Sequence, residues 1–150
     1  MKILHLKSMF VALLSLSTLA TTAQQNEGSF KMYENKPSQI NVETNTLAST
    51  VNFAKGNQVN ITLSSDLHFT GTVIFKENTQ TNLQTIAIKS ADINNAVLHL
   101  NKITNADNSI TYTGRIMNPL AADGYLLKYN NGIYSLQKFD SATLLEPCKL

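Results

Sequence analysis

The chain is poor in residues that staple an exported fold or carry chemistry on their own. Among 150 residues it has one cysteine, Cys148, one arginine, Arg115, and no tryptophan. A lone cysteine excludes an internal disulfide, so packing and hydrogen bonds must hold the fold, and Cys148 is expected as a free or intermolecular thiol. No histidine lies near it in sequence to make it a nucleophile. Without tryptophan, a sugar-binding platform would rest on tyrosines alone. Charged residues make up only 15% and are scattered singly. Nucleic-acid binding draws on clustered Lys and Arg that displace counterions from phosphates, so that class is excluded.

Long apolar runs are equally scarce. The longest, Met9 to Leu19, is too short to span a bilayer; it follows Lys2 and Lys7 and ends in Ala20-Thr21-Thr22-Ala23. A charged start, an apolar middle and small residues before a cut are what an export channel and its peptidase require. Residues 1–23 are therefore expected to be a cleaved signal of bacterial type, with a mature start at Gln24 in the periplasm or outside the cell. The residue after the cut is not cysteine, which argues against an amino-terminal lipid anchor. Two of the 12 basic residues lie in that leader, and without them the basic residues equal the 10 acidic ones. No second apolar run follows, so the mature chain is not expected to span a membrane.

What remains is enough for one domain. Residues 24–40 read as a polar arm whose Phe30 to Tyr33 segment adds an edge strand, and residues 41–150 as the folded domain. A strand is expected around Thr50 to Phe53. From Gln58 onward the alternation is clearer: Val59, Ile61 and Leu63 share one face, as do Phe69, Gly71, Val73 and Phe75 on the next run. Gly71 in mid-strand suggests a bend or a close backbone approach. Leu83 to Ser90, Ala96 to Thr104 and Ile110 to Asn118 follow, the last two forming a hairpin. Tyr125 to Tyr129 and Ile133 to Phe139 flank Asn130-Asn131-Gly132, a tight-turn signal because Asn and Gly tolerate positive φ. Asp140 to Glu146 read as a short terminal helix before Pro147. These short strands between polar turns predict an all-β domain, an antiparallel meander of about seven strands forming a small barrel or sandwich.

Chemistry is harder to place. His68 and His99 show no metal-ligand spacing. Asn105, Asp107 and Ser109 start like a calcium loop, but Ile116 stands where the bidentate glutamate belongs, so the segment reads as a hairpin tip. Asp140-Ser141-Ala142 resembles a short O-glycan acceptor, but a helix cap is the reading preferred for it. No nucleophile frame is present, and no pair of carboxylates stands out.

The sequence thus predicts a small exported non-catalytic module that needs no cofactor or metal. It is expected to act by binding or structural association with another exported protein or a cell-envelope component. Arg115, Tyr112 and Tyr129 are the candidate contacts, with a cross-strand ion pair as the simpler role for Arg115. Two other classes compete: an inhibitor or propeptide-like module that lays an edge strand into an exported peptidase, and a hydrolase whose site forms only in three dimensions.

Overall fold

The computed structural model describes residues 30–140. The expected leader at 1–23, the free thiol of Cys148 and the terminal helix beyond Asp140 lie outside the described residues. Eight strands, one more than the expected seven, form one antiparallel sheet curled into a half-barrel rather than a two-sheet sandwich. They are β1 (Gln39–Val42), β2 (Gln58–Ser64), β3 (Leu67–Gln80), β4 (Leu83–Ser90), β5 (Val97–Thr104), β6 (Ile110–Met117), β7 (Asp123–Asn130) and β8 (Ile133–Asp140). From β2 to β8 each strand pairs with its successor, and β1 returns to pair with β8. The sheet's two end strands, β1 and β2, approach one another without a hydrogen-bonded ladder.

Alternation decides which side of the curl each residue takes. Val59, Ile61, Phe69, Val73, Ile86, Ile88, Leu98, Leu100, Ile116, Tyr125 and Leu136 are buried on the concave side, those on one strand being two or four residues apart. The expected close approach at Gly71 is present: a Cβ there would lie 2.4 Å from the Lys89 carbonyl oxygen. The turn between β7 and β8 also forms as expected, with Asn131 at φ 51° and Gly132 at φ 83°.

Three local expectations are overturned, two of them around α1 and β3. Where a strand was expected around Thr50 to Phe53, the chain instead forms α1 (Thr44–Thr50), followed by a turn. Propensity there is weak, since Thr, Asn and Ser compete with the helix for hydrogen bonds. Tertiary burial decides it: Leu47, Thr50 and Val51 fall on one helical face and are buried in the core, as spacings of three and four require. Thr50 and Ser49 satisfy their own hydroxyls on the Thr46 carbonyl. The second correction is Phe75, expected beside Val73 on the inner face. The register shifts between Val73 and Phe75, so Phe75 pairs with outward-facing Ala87 and is 41% exposed. A bulge inserts one residue and re-aims everything beyond it. Lys76 thereby turns inward, and its ammonium donates to the carbonyl of Val51, which caps α1.

At the opposite end, residues 31–38 lie across the opening. Phe30 makes a single parallel bridge with Ala121, and no edge strand forms from Phe30 to Tyr33. Instead Tyr33 is buried against Tyr125, ring centroids 4.9 Å apart. The Asp123 carboxylate accepts the backbone N–H of Met32 at 2.6 Å and of Tyr33 at 2.9 Å. The Lys138 ammonium donates to the carbonyls of Tyr33 and Lys36, both at 2.6 Å, and the Tyr125 hydroxyl to that of Pro37.

Two substitutions test these devices by chemical denaturation. Gly132→Val meets no steric contact, so its expected loss of about 1–2 kcal/mol comes from placing a β-branched residue at positive φ; an unchanged midpoint would contradict the turn. Asp123→Ala removes two charge-assisted bonds and strands two N–H groups, for an expected loss of about 3 kcal/mol.

Candidate functional site

The concave side leaves little room for a ligand. Its apolar cavity, bounded by Leu47, Leu63, Leu98, Leu100, Leu127 and Leu136, has a volume of about 10 Å³, space for about one water. Between α1 and the β7–β8 turn there is an open groove of about 520 Å³ on Asn41, Glu43, Thr44, Asn45 and Ile133, too exposed to desolvate a small molecule.

The three contact residues expected from the sequence do not form one site. Tyr112 is 4% exposed and faces inward. Its backbone N–H donates to the hydroxyl of Tyr134 at 2.9 Å, and its ring meets that of Tyr134 edge-on, centroids 5.7 Å apart. Registered pairing between β6 and β7 covers only Arg115 to Met117, so Tyr134 supplies beyond it the acceptor that a strand carbonyl would have given. Tyr129 is 56% exposed and rests on the other side of Tyr134 at 4.6 Å. The tyrosines are thus a packing cluster at the end of the curl nearest α1, with Tyr129 its accessible member.

Arg115 lies on the opposite, outer face. Its cross-strand neighbours are His99 on β5 and Leu126 on β7, and the cross-strand ion pair expected for it does not form. The one salt bridge among the described residues joins Lys31 and Asp140 at 3.7 Å. The reason is compositional: β4, β5 and β6 contain no acidic residue, and the acid on β7 is Asp123, which is spent on Met32 and Tyr33.

Register assembles what the sequence leaves scattered. Lys89 on β4 is paired with Val97, two residues before His99; His99 is paired with Arg115; Arg115 is paired with Leu126, two residues before Lys128. Lys89, His99, Arg115 and Lys128 therefore run diagonally across four strands of the outer face, and the three permanent cations are exposed. Beside them a polar ladder crosses the same strands: Thr85 donates to Asn101 at 2.9 Å, and Asn101 donates to Thr113 at 3.3 Å. Half-buried Val97, Met117 and Leu126 fill the intervals. Lys89, His99, Lys128 and the ladder were not singled out from the sequence. The signal that pointed to them was available, namely three successive strands without an acid.

His99 is half-buried in this row. Burial, and then the Arg115 guanidinium, push its imidazole below the ordinary histidine range, because both disfavour a second positive charge. His68 is elsewhere on the outer surface, 3.2 Å from the Thr62 hydroxyl across the β2–β3 pair. The Asn105 to Ser109 tip is closed on itself, the Asp107 carboxylate accepting from the Ser109 amide and hydroxyl. Among the described residues no three His, Cys, Asp or Glu side chains converge, and no helix is long and apolar enough to cross a membrane.

Comparison with family models, with curated proteins and with solved structures yields no match. The site is therefore read from its own geometry.

Because burial leads and Arg115 follows among the causes of the His99 shift, Arg115→Gln should raise the imidazole pKa part of the way towards its ordinary value without restoring it. An NMR titration of the His99 ring protons measures this directly. An unmoved titration would mean that the two side chains do not share a field.

Proposed function

We propose that this protein is a small non-catalytic β-domain, exported from the cytoplasm, that works by contact with another protein of the cell envelope or the exterior. Its contact surface is the outer face of β4 to β7. The observation that carries this reading is Arg115: an exposed guanidinium on a regular sheet that, among the described residues, has no acidic partner and no element packed over it. An arginine fork is a strong ligand for carboxylates, and rigid strands hold it at little cost in ordering.

The filled interior supports the same choice. A ligand-carrying barrel needs a chamber of some 300 Å³ or more, and the volume under this sheet is far smaller. The chain segment that an inhibitor would extend into a protease cleft is folded back here, with Met32 and Tyr33 tied to Asp123. The two described histidines stand apart, one beside a threonine and one beside an arginine, which offers no base–carboxylate pair for hydrolysis. Partner binding is thus the reading favoured over both the inhibitor and the hydrolase. It includes no role for nucleic acid, because the outer cations are spaced across strands instead of clustered.

The experiment is site-specific photo-cross-linking in the producing cells. A benzophenone side chain at Thr113, exposed next to Arg115, should give a discrete adduct in the fraction outside the cytoplasm, and Arg115→Glu should abolish it. The same probe at Asn60 on β2 should give none. Adducts from Asn60 but not from Thr113 would place the contact elsewhere and sink the proposal.

A further inference from the structure

The geometry points to the chemical class of the partner: the diagonal of Lys89, Arg115 and Lys128 takes an acidic, extended protein segment, with a carboxylate seated on Arg115. This rests on the reading of the outer face as the contact surface and adds what that surface recognises.

The argument begins with how charge is distributed over the fold. Every strand from β3 to β8 carries one basic residue: Lys76, Lys89, Lys102, Arg115, Lys128 and Lys138. Three of these are committed inside the curl. Lys76 holds the end of α1, Lys138 holds the residues across the other opening, and Lys102 pairs in register with inward-facing Tyr112. The other three, Lys89, Arg115 and Lys128, are exposed on the outer face and make no ion pair with a described residue. The acids lie off β4, β5 and β6. Glu34, Glu43, Asp66, Asp92 and Asp107 sit outside the strands, Asp123 and Asp140 at strand ends, and Glu77 on β3, where it pairs with Thr85 at the edge of the ladder. The outer face of β4 to β7 is therefore positive although the described chain as a whole is nearly balanced.

An extended acidic segment matches that face in three respects. Its carboxylates complement cations that have no partner of their own, which sets register and suppresses wrong partners. Its backbone and hydroxyl groups can meet the Thr85, Asn101 and Thr113 ladder. Its apolar side chains can cover Val97, Met117 and Leu126, which are only half-buried. A membrane surface matches less well, because electrostatic lipid binding draws on clusters of about four to eight basic residues. Here three cations are spread over four strands among threonines and apolar side chains.

The test is a titration of isotopically labelled protein, followed by amide NMR shifts, with an octaglutamate peptide, an octaglutamine peptide and phosphatidylglycerol vesicles. Octaglutamate should shift the amides around Lys89, His99, Arg115 and Lys128 and lose affinity as salt is raised, while octaglutamine should not bind. Arg115→Glu should weaken binding about fivefold, and the combined reversal of Lys89, Arg115 and Lys128 to Glu by at least about tenfold. Lys55→Glu, on the exposed turn before β2 and outside the strands of the face, should leave it unchanged. Since all four side chains are exposed, unchanged thermal unfolding of the variants will separate loss of binding from loss of fold. Shifts mapping to another surface, equal binding of octaglutamine, an unaffected Arg115→Glu variant, or binding to vesicles but not to octaglutamate would each overturn the proposal. If octaglutamate fails while the Thr113 adduct persists, the face binds a partner by other chemistry; if both fail, the contact surface itself falls.

Discussion

A single sheet curled around its own apolar face leaves two open ends, and closing them is the constraint on which this structure depends. At one end the closure is polar. The Asp123 carboxylate is buried and survives there because each oxygen accepts a backbone N–H from residues some ninety positions earlier. Bonds to a charged group contribute about 1.5–3 kcal/mol each, which offsets part of the cost of ordering the segment that supplies them. Lys138 completes the arrangement by collecting carbonyls of the same segment. Burial first and the Asp123 charge second raise the pKa of the Tyr33 and Tyr125 phenols, so both stay neutral against the carboxylate. The Tyr33 hydroxyl is buried without a hydrogen-bond partner, a local cost tolerated because its ring fills the opening.

At the other end the closure is mostly apolar, and helix α1 performs it. Seven residues are too few to be stable alone, so this helix exists because Leu47, Thr50 and Val51 have a cavity to fill. Lys76 reaches its last turn only because the bulge beside Phe75 reverses the facing of β3. One inserted residue thus does two things: it puts Phe75 on the outer surface and gives α1 a cationic cap, the sign its negative end favours.

This explains which features were legible before the structure. Strands β2 and β4 to β8 follow from period-two alternation and turn chemistry, both local properties. The Asn131–Gly132 turn is the clearest case, since positive φ restricts residue choice by itself. Helix α1 was hidden because its sequence has poor intrinsic propensity and tertiary burial overrides it. Phe75 misled because alternation carries no record of a bulge. The segment from Phe30 to Ser38 read as a polar arm with an edge strand because its anchors, Asp123, Tyr125 and Lys138, lie far along the chain. Arg115 stood out in sequence for its rarity, but Lys89, His99 and Lys128 become its neighbours only through the register of four strands.

The two closures also bear on the outer face. With the ends sealed and the inner side chains interlocked, β4 and β5 have ladders on both sides, β6 is paired with β5 along its length and with β7 from Arg115 to Met117, and β7 is paired with β8 throughout, so the spacing of the three cations is set before any partner arrives. Preorganisation of this kind lowers the cost of association, and it matters most where each exposed ion pair contributes only about 0.2–1 kcal/mol. Three such contacts on a flexible loop would be largely cancelled by the entropy of ordering it. On a sheet the pleat has already done that ordering. His99 adds to this by remaining neutral beside Arg115, since its lowered pKa keeps a fourth charge from competing with the guanidinium for the same counterion. A face built in this way discriminates by the spacing of its charges more than by their number, and that spacing follows from the strand register rather than from any one residue.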